Sequence, residues 1–147
     1  MTLFYADTSA LARAYLADEA DHVELRSLLL EGRNFVVTSE ITRLELASAV
    51  RAASAGGRLS RWRELLTTMD ADLADGGAVS PLDLRPSQIL PTAYRYVLDH
   101  RLRPLDAIHL AVCSEECPPL AGDNEVVFVT RDDVQAGAAR AIGFRVG

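Results

Sequence analysis

The sequence predicts an α/β fold: a parallel sheet of four or five strands with helices on both faces, a three-layer α/β/α arrangement. Two observations carry this. Short apolar runs rich in β-branched residues, such as Phe35–Thr38 (FVVT) and Val126–Thr130 (VVFVT), alternate along the chain with longer stretches of helical periodicity. Strands that alternate with helices pair in parallel, because each helix carries the chain back across the sheet. In such a sheet the carboxyl ends of all strands share one edge, where open α/β folds place their chemistry.

Taken in order, Leu3–Ala6 reads as the first strand, and Asp7, Thr8 and Ser9 lead into a helix over Ser9–Ala17. Asp7 has two readings at once. It is a preferred N-cap residue, and it is an acid at the carboxyl end of a first strand. Asp21 is expected to cap a second helix, with Leu25, Leu28 and Leu29 at helical spacing and Gly32 as its stop. Thr38 or Ser39 is expected to cap a helix to about Ala53 after the second strand. Ser60 starts another, to about Leu73. Ala78–Leu82 is a weak strand whose proline suits an edge. Pro86 to about His100 is helical. Pro104 fits the first turn of a helix running to about Ser114, followed by a loop over Cys117–Asn124. After Val126–Thr130, Asp132 or Asp133 opens a last helix to Ala141, Gly143 ends it, and Phe144–Val146 forms a short final strand.

A chain of 147 residues with 49% hydrophobic and 24% charged content is expected to form one domain over 1–147 with a single core. No apolar run approaches the roughly 20 residues that span a bilayer. The N-terminus has no basic segment followed by an apolar one, so a cytoplasmic location is expected. Cys113 and Cys117 are the only cysteines and read as two reduced thiols, since no second ligand pair completes a zinc site. All 15 basic residues are arginine. The absence of lysine excludes mechanisms that require one. The net charge of −6 argues against a broadly basic nucleic-acid-binding surface. Locally, however, Arg51, Arg58, Arg61 and Arg63 occur with no acid between them, and Arg95, Arg101 and Arg103 form a second group offset by Asp99. Each group reads either as a solvated helix face or as a local basic surface.

Three further acids join Asp7. Glu45 lies on a helix face with Ile41, Ala49 and Ala52, and an acid on an apolar stripe needs a partner or a metal. Asp106 stands in the first turn of the nearly all-apolar Pro104 helix, where the helix dipole favours it and where the carboxyl edge of the sheet is expected. His109, three residues on, is within reach of Asp106 and reads as a core or supporting residue rather than a ligand. Asp132 follows Thr130 at the end of the most clearly marked strand. Four carboxylates at one edge would repel and raise each other's pKa values, and a divalent cation resolves that repulsion. Oxygen-only ligands select Mg²⁺ or Mn²⁺ over zinc. Such a site activates water and steadies the leaving oxygen of a phosphodiester.

The ordered set DTSAL, SEITRLELASAV, RPLDAIHLA and VFVTRDD resembles the PIN-domain ribonucleases, specifically the VapC toxins of bacterial toxin–antitoxin pairs. The resemblance covers the whole chain in length and motif order. It implies a three-layer α/β/α PIN-like domain and Mg²⁺- or Mn²⁺-dependent endonucleolytic cleavage of RNA, with tRNA and rRNA as candidate targets. It also implies a homodimer and inhibition by a cognate VapB-type antitoxin. By position, Asp7, Glu45, Asp106 and Asp132 match the catalytic acids, with Asp7, Asp106 and Asp132 holding the metal. Glu45 is either a further ligand or the general base. Thr8, Ser9, Thr130 and His109 are supporting residues, and Arg51, Arg58, Arg61 and Arg103 are candidates for contacting RNA. The motif departs from the family where Asp133 stands, which leaves Asp132 and Asp133 as alternatives, with Asp132 at the usual distance from Thr130. A receiver-type phosphotransfer domain and a dehalogenase-like phosphatase both lack the lysine they require. A catalytically silent PIN module that binds RNA or a protein remains the other reading.

Overall fold

The computed structural model describes all 147 residues. Its elements are β1 (Leu3–Ala6), α1 (Thr8–Tyr15), α2 (His22–Leu30), β2 (Phe35–Ser39), α3 (Ile41–Ala55) and α4 (Trp62–Asp72), then β3 (Ser80–Leu82), α5 (Pro86–His100), α6 (Pro104–Ala121), β4 (Val126–Val129), α7 (Asp133–Ala141) and β5 (Arg145–Val146). The strands form one parallel sheet in the order β3-β2-β1-β4-β5. β1 is central, with Tyr5 opposite Val37 on one side and Phe128 on the other. The proline-bearing β3 is an edge strand, where a missing N–H costs no ladder bond.

Side chains alternate across the sheet and split the core in two. Leu3, Tyr5, Val37 and Phe128 face α5, α6 and α7. Ala6, Val36, Val127 and Val129 face α1 to α4. The two layers therefore meet only around the ends of the strands, and that geometry places the site. The rings of Tyr5 and Phe128 stack at 5.4 Å between centroids and 5° between planes. They fill the space under α6, whose Ala107, Leu110 and Ala111 are fully buried.

The expected helix ending near Ser114 is a correction: α6 runs on to Ala121, so the expected Cys117–Asn124 loop starts only at Gly122. Pro118 and Pro119 remove two backbone donors, a cost of about 3 kcal/mol for an interior proline. Cys113, Cys117 and Ala121 lie at i, i+4 and i+8 on a stripe buried in the core shared with α5 and α7, and that packing outweighs the cost. Both cysteines are free and buried.

Several caps also differ from expectation. Thr38 and Ser39 still belong to β2, and Glu40 takes the N-cap position of α3. Thr38 is used elsewhere: its hydroxyl lies 2.6 Å from the Ala6 carbonyl and 2.7 Å from the Thr42 hydroxyl, stitching α3 to β1. Ser60 does not start α4, which begins at Trp62 with Arg61 before it. Asp21 precedes α2 in a left-handed conformation (φ 62°) without a side-chain cap bond. The end of α7 is as expected: Gly143 adopts φ +104°, open to glycine at little cost, and its N–H reaches the Arg140 carbonyl.

Candidate functional site

The end of β1 sets the site. The Asp7 N–H donates to the Val129 carbonyl at 3.0 Å, which fixes Asp7 as the first residue beyond the sheet. Its Oδ1 accepts from the Ala10 N–H at 3.1 Å and from the Ser9 hydroxyl at 2.8 Å. Asp7 is thus the N-cap of α1 as well as an acid at the carboxyl edge. Its Oδ2 lies 3.1 Å from the Thr130 hydroxyl. Asp7 is 2% exposed and makes no ion pair with Arg or His. Burial pushes its carboxyl above the usual range, and the nearby His109 imidazole together with the bonds from Ser9, Ala10 and Thr130 opposes this without cancelling it.

Thr130 ties the other side together. Its hydroxyl accepts from the Asp132 N–H at 3.1 Å and lies 2.8 Å from Gln135 Oε1. Asp132 Oδ1 in turn accepts from the Gln135 N–H at 2.8 Å, so Asp132 caps α7 and Asp133 points outward as an exposed residue of its first turn. The Gln135 amide donates to the Asp106 carbonyl at 3.2 Å, joining the starts of α6 and α7. Arg103 then bridges two acids: its Nε donates to Asp106 Oδ2 at 3.0 Å and a terminal nitrogen to Asp132 Oδ2 at 3.4 Å.

Glu45 arrives from the opposite layer. Its Oε1 accepts from the Thr8 hydroxyl at 2.8 Å and lies 2.6 Å from His109 Nε2. Burial alone would raise the Glu45 carboxyl, but its hydrogen bonds to His109 and Thr8 hold it below the ordinary range. His109 is 1% exposed, and its other nitrogen, Nδ1, is 2.8 Å from the Tyr5 hydroxyl. Both imidazole nitrogens are engaged, and the partner of His109 is Glu45 rather than Asp106. Glu45, Arg103, Pro104, Leu105 and Asp106 line a cleft of about 370 Å³.

The carboxyl edge thus carries two hydrogen-bonded groups: Asp7, Ser9, Thr130, Asp132 and Asp106, joined through Gln135 and Arg103, and Glu45 with Thr8 and His109. No three of the acids lie close enough in this arrangement to hold one ion directly. The donor chemistry still fits a hard divalent cation. The acids and the hydroxyls beside them offer oxygen donors with no thiol among them, and Asp7 is a buried carboxylate that makes no salt bridge.

The arginine group on α3 and α4 is less free than its sequence suggests. Arg58 pairs with Asp18 and Glu19 at 3.2 and 3.3 Å, and Arg61 with Glu64 at 2.9 Å. Arg51 and Arg63 instead stack on Trp62, at 4.0 and 4.3 Å from the ring. Sequence reasoning missed Tyr5, Trp62 and Gln135. Tyr5 shares the parity of Asp7 in β1, and Gln135 is the third residue after an N-cap; both are signals that spacing carries.

The sequence profile of the PIN domain matches residues 4–141. Among solved structures, the chain is similar to the crystal structure of Mycobacterium tuberculosis VapC20, a toxin that cleaves the sarcin–ricin loop. The TM-score is 0.66 at 17% identity, covering 96% of this chain and 95% of that one. No curated protein shows significant similarity to the chain.

Proposed function

The chain belongs to the PIN-domain family, and from that premise we propose that it is a Mg²⁺- or Mn²⁺-dependent endoribonuclease, the toxin of a toxin–antitoxin pair that cleaves structured RNA such as tRNA or rRNA. The observation that carries this reading is Asp7: a buried carboxylate without a cationic partner, at the carboxyl edge of a parallel sheet beside Glu45, Asp106 and Asp132. The resemblance in fold to a toxin that cleaves ribosomal RNA supports the substrate class.

In this reading Asp7, Asp106 and Asp132 hold the ion. When bound, it supplies charge neutralisation and activation of water for attack on phosphorus. Glu45 takes the proton of that water. Thr130 and Ser9 orient Asp7, and Gln135 keeps the starts of α6 and α7 in register. Arg103, freed from its carboxylates, contacts the RNA backbone as a forked donor. Arg51, which like Arg63 stacks on Trp62 and has no carboxylate partner, continues this basic path, with Arg58 and Arg61 as weaker contributors.

Two surfaces support the partners. The apolar groove between α3 and α4, about 290 Å³, is lined by Leu44, Leu46, Leu66, Met69 and Leu73 and rimmed by the Arg43–Asp70 pair, and it suits the apolar face of an antitoxin helix. Leu90, Tyr94 and Leu98 form an exposed stripe along α5 at i, i+4 and i+8, which suits a homodimer contact. No helix is long and apolar enough to cross a membrane. The proposed setting is the cytoplasm, where the RNA is.

The direct test is incubation of purified protein with total bacterial RNA, with and without Mn²⁺ or Mg²⁺. Discrete fragments that require the ion are expected. Folded protein that binds the ion and cleaves no RNA would favour a silent binding module instead. Arg103→Ala separates the two uses of that side chain. It is expected to tighten Mn²⁺ binding several-fold by calorimetry while raising the KM for RNA, because the same guanidinium competes with the ion and recruits the phosphate.

A further inference from the structure

Glu45 is held by a chain of groups that starts at the buried core, and the hydrogens in that chain can be counted. The Tyr5 side chain is fully buried, and its hydroxyl has one hydrogen-bond partner, His109 Nδ1. Burial keeps the phenol protonated, since it raises the Tyr5 pKa well above its ordinary value. Its single hydrogen needs an acceptor, because a buried donor left unmet is costly, and His109 Nδ1 is its one partner. If Nδ1 carried a hydrogen, the phenol would have to accept it, leaving its own hydrogen with nowhere to go. Nδ1 is therefore the acceptor, and the imidazole hydrogen sits on Nε2. From there it donates to Glu45 Oε1 at 2.6 Å, and the Thr8 hydroxyl, 3.1 Å from Nε2, gives its own hydrogen to the same Glu45 oxygen at 2.8 Å.

Both of these bonds fall on Oε1. Oε2 has no hydrogen-bond partner, and the Glu45 side chain keeps 23% of its exposure where it lines the cleft. The carboxylate is thus tethered by one oxygen and open at the other.

We propose that Tyr5 and His109 are positioning residues for the cleavage reaction: the Tyr5 hydroxyl fixes the Nε2–H tautomer of His109, and that tautomer, with Thr8, locks Glu45 by Oε1 so that Oε2 faces the reacting water as the base. This rests on the nuclease reading above for its consequence, but not for its geometry. The tether leaves Oε2 as the one free oxygen of Glu45, and its task here is to take the proton of the water. The step it serves is balanced: Oε2 takes one proton from water as the water oxygen bonds to phosphorus, the ester P–O bond breaks and its oxygen takes a proton from solvent, and Oε2 then returns its proton to solvent. Tyr5 and His109 keep their protons throughout.

The two parts are tested separately. ¹⁵N-labelled histidine in the wild-type protein at neutral pH is expected to show His109 protonated on Nε2 and bare on Nδ1, whether or not any RNA is cleaved. Tyr5→Phe is expected to shift the Nδ1 resonance, which loses its one hydrogen-bond donor, while Nε2 stays protonated against the Glu45 carboxylate. A wild-type imidazole protonated on Nδ1, or on both nitrogens, overturns the tautomer lock. For the role in cleavage, His109→Gln keeps an N–H near the position of Nε2, whereas His109→Asn places its N–H near Nδ1, out of reach of Glu45. His109→Gln is expected to retain kcat within about tenfold of wild type. His109→Asn is expected to lose about 100-fold in kcat with KM unchanged, the scale of a small misplacement of a reacting group. Both are compared at equal folded fraction by circular dichroism. Equal losses in the two variants, or no loss in either, overturn the positioning role. A wild-type protein with the expected tautomer that cleaves no RNA overturns the nuclease reading and the role given to Glu45, and leaves the lock as a structural fact.

Discussion

Asp7→Asn will abolish RNA cleavage, by about 10³-fold or more, and will leave the protein more stable than the wild type. The first effect follows because the amide cannot neutralise a divalent ion. The second follows because burial raises the Asp7 carboxyl, which makes its ionised form a cost to folding in the absence of metal. The substitution preserves the local bonds. The amide oxygen still accepts from Ser9 and Ala10 as Oδ1 does now, and the amide nitrogen can donate to the Thr130 hydroxyl, whose own hydrogen then goes to Gln135. The gain has a definite pH dependence. With a folded pKa above the unfolded value, Asp7 binds its proton more tightly when folded, so the wild type loses stability as pH rises from the unfolded value of 3.8 through the raised one. Asp7→Asn has no such loss. The two proteins should therefore converge toward pH 3.8 and separate above it, by about 0.5–2 kcal/mol, the usual size of stability given up at a functional site. Denaturant melts of the metal-free proteins across pH measure it. A variant less stable than wild type at neutral pH would contradict the account of Asp7.

Phe128→Ala will destabilise the protein by about 3–5 kcal/mol, a large share of the ~5–15 kcal/mol that holds a typical domain. Phe128 is fully buried in β4, directly opposite Tyr5 in the register and stacked on it. Removing the ring leaves a cavity below α6 and takes away a stack worth about 0.5–1.5 kcal/mol. The damage reaches the site as well, since the Tyr5 ring that loses its platform carries the hydroxyl on which His109 rests. Urea unfolding gives the stability, and the His109 ¹⁵N signal reports the loosening. A loss below ~1.5 kcal/mol would mean that the core is not organised around this pair.

How much was legible in the sequence differs by element. β1, β2 and β4 announce themselves as short apolar runs, β-branched in β2 and β4, because strands buried on both faces cannot alternate with polar residues. Asp7, Asp106 and Asp132 drew attention because each stands just beyond a strand or at a helix start, which parallel topology sends to one edge, and Glu45 because it shares a helix face with apolar residues. The end of α6 was not. Its prolines are local breakers, and the packing that overrides them, of Cys117 and Ala121 against α5 and α7, exists only in three dimensions. The caps failed for a related reason: Thr38 is spent on the Ala6 carbonyl and on Thr42 rather than on the α3 terminus. The arginine group was over-read because Asp18 and Glu19, remote in sequence, fold back onto Arg58. The Tyr5–His109–Glu45 chain was invisible for the opposite reason. His109 was expected near Asp106, three residues away, yet it joins a glutamate from the other helical layer across the edge of the sheet.

The central claim is that these acids gather around a divalent ion to cut RNA. The measurement that reaches it most directly is a crystal of the protein grown with Mn²⁺ and a non-cleavable RNA oligonucleotide, with data collected for anomalous scattering by manganese. The account predicts a peak among Asp7, Asp106 and Asp132, with the Arg103 guanidinium moved off the two carboxylates it bridges now and onto a phosphate, and with Glu45 still bound by Oε1. A manganese peak elsewhere on the chain, with Arg103 still across Asp106 and Asp132, would contradict it.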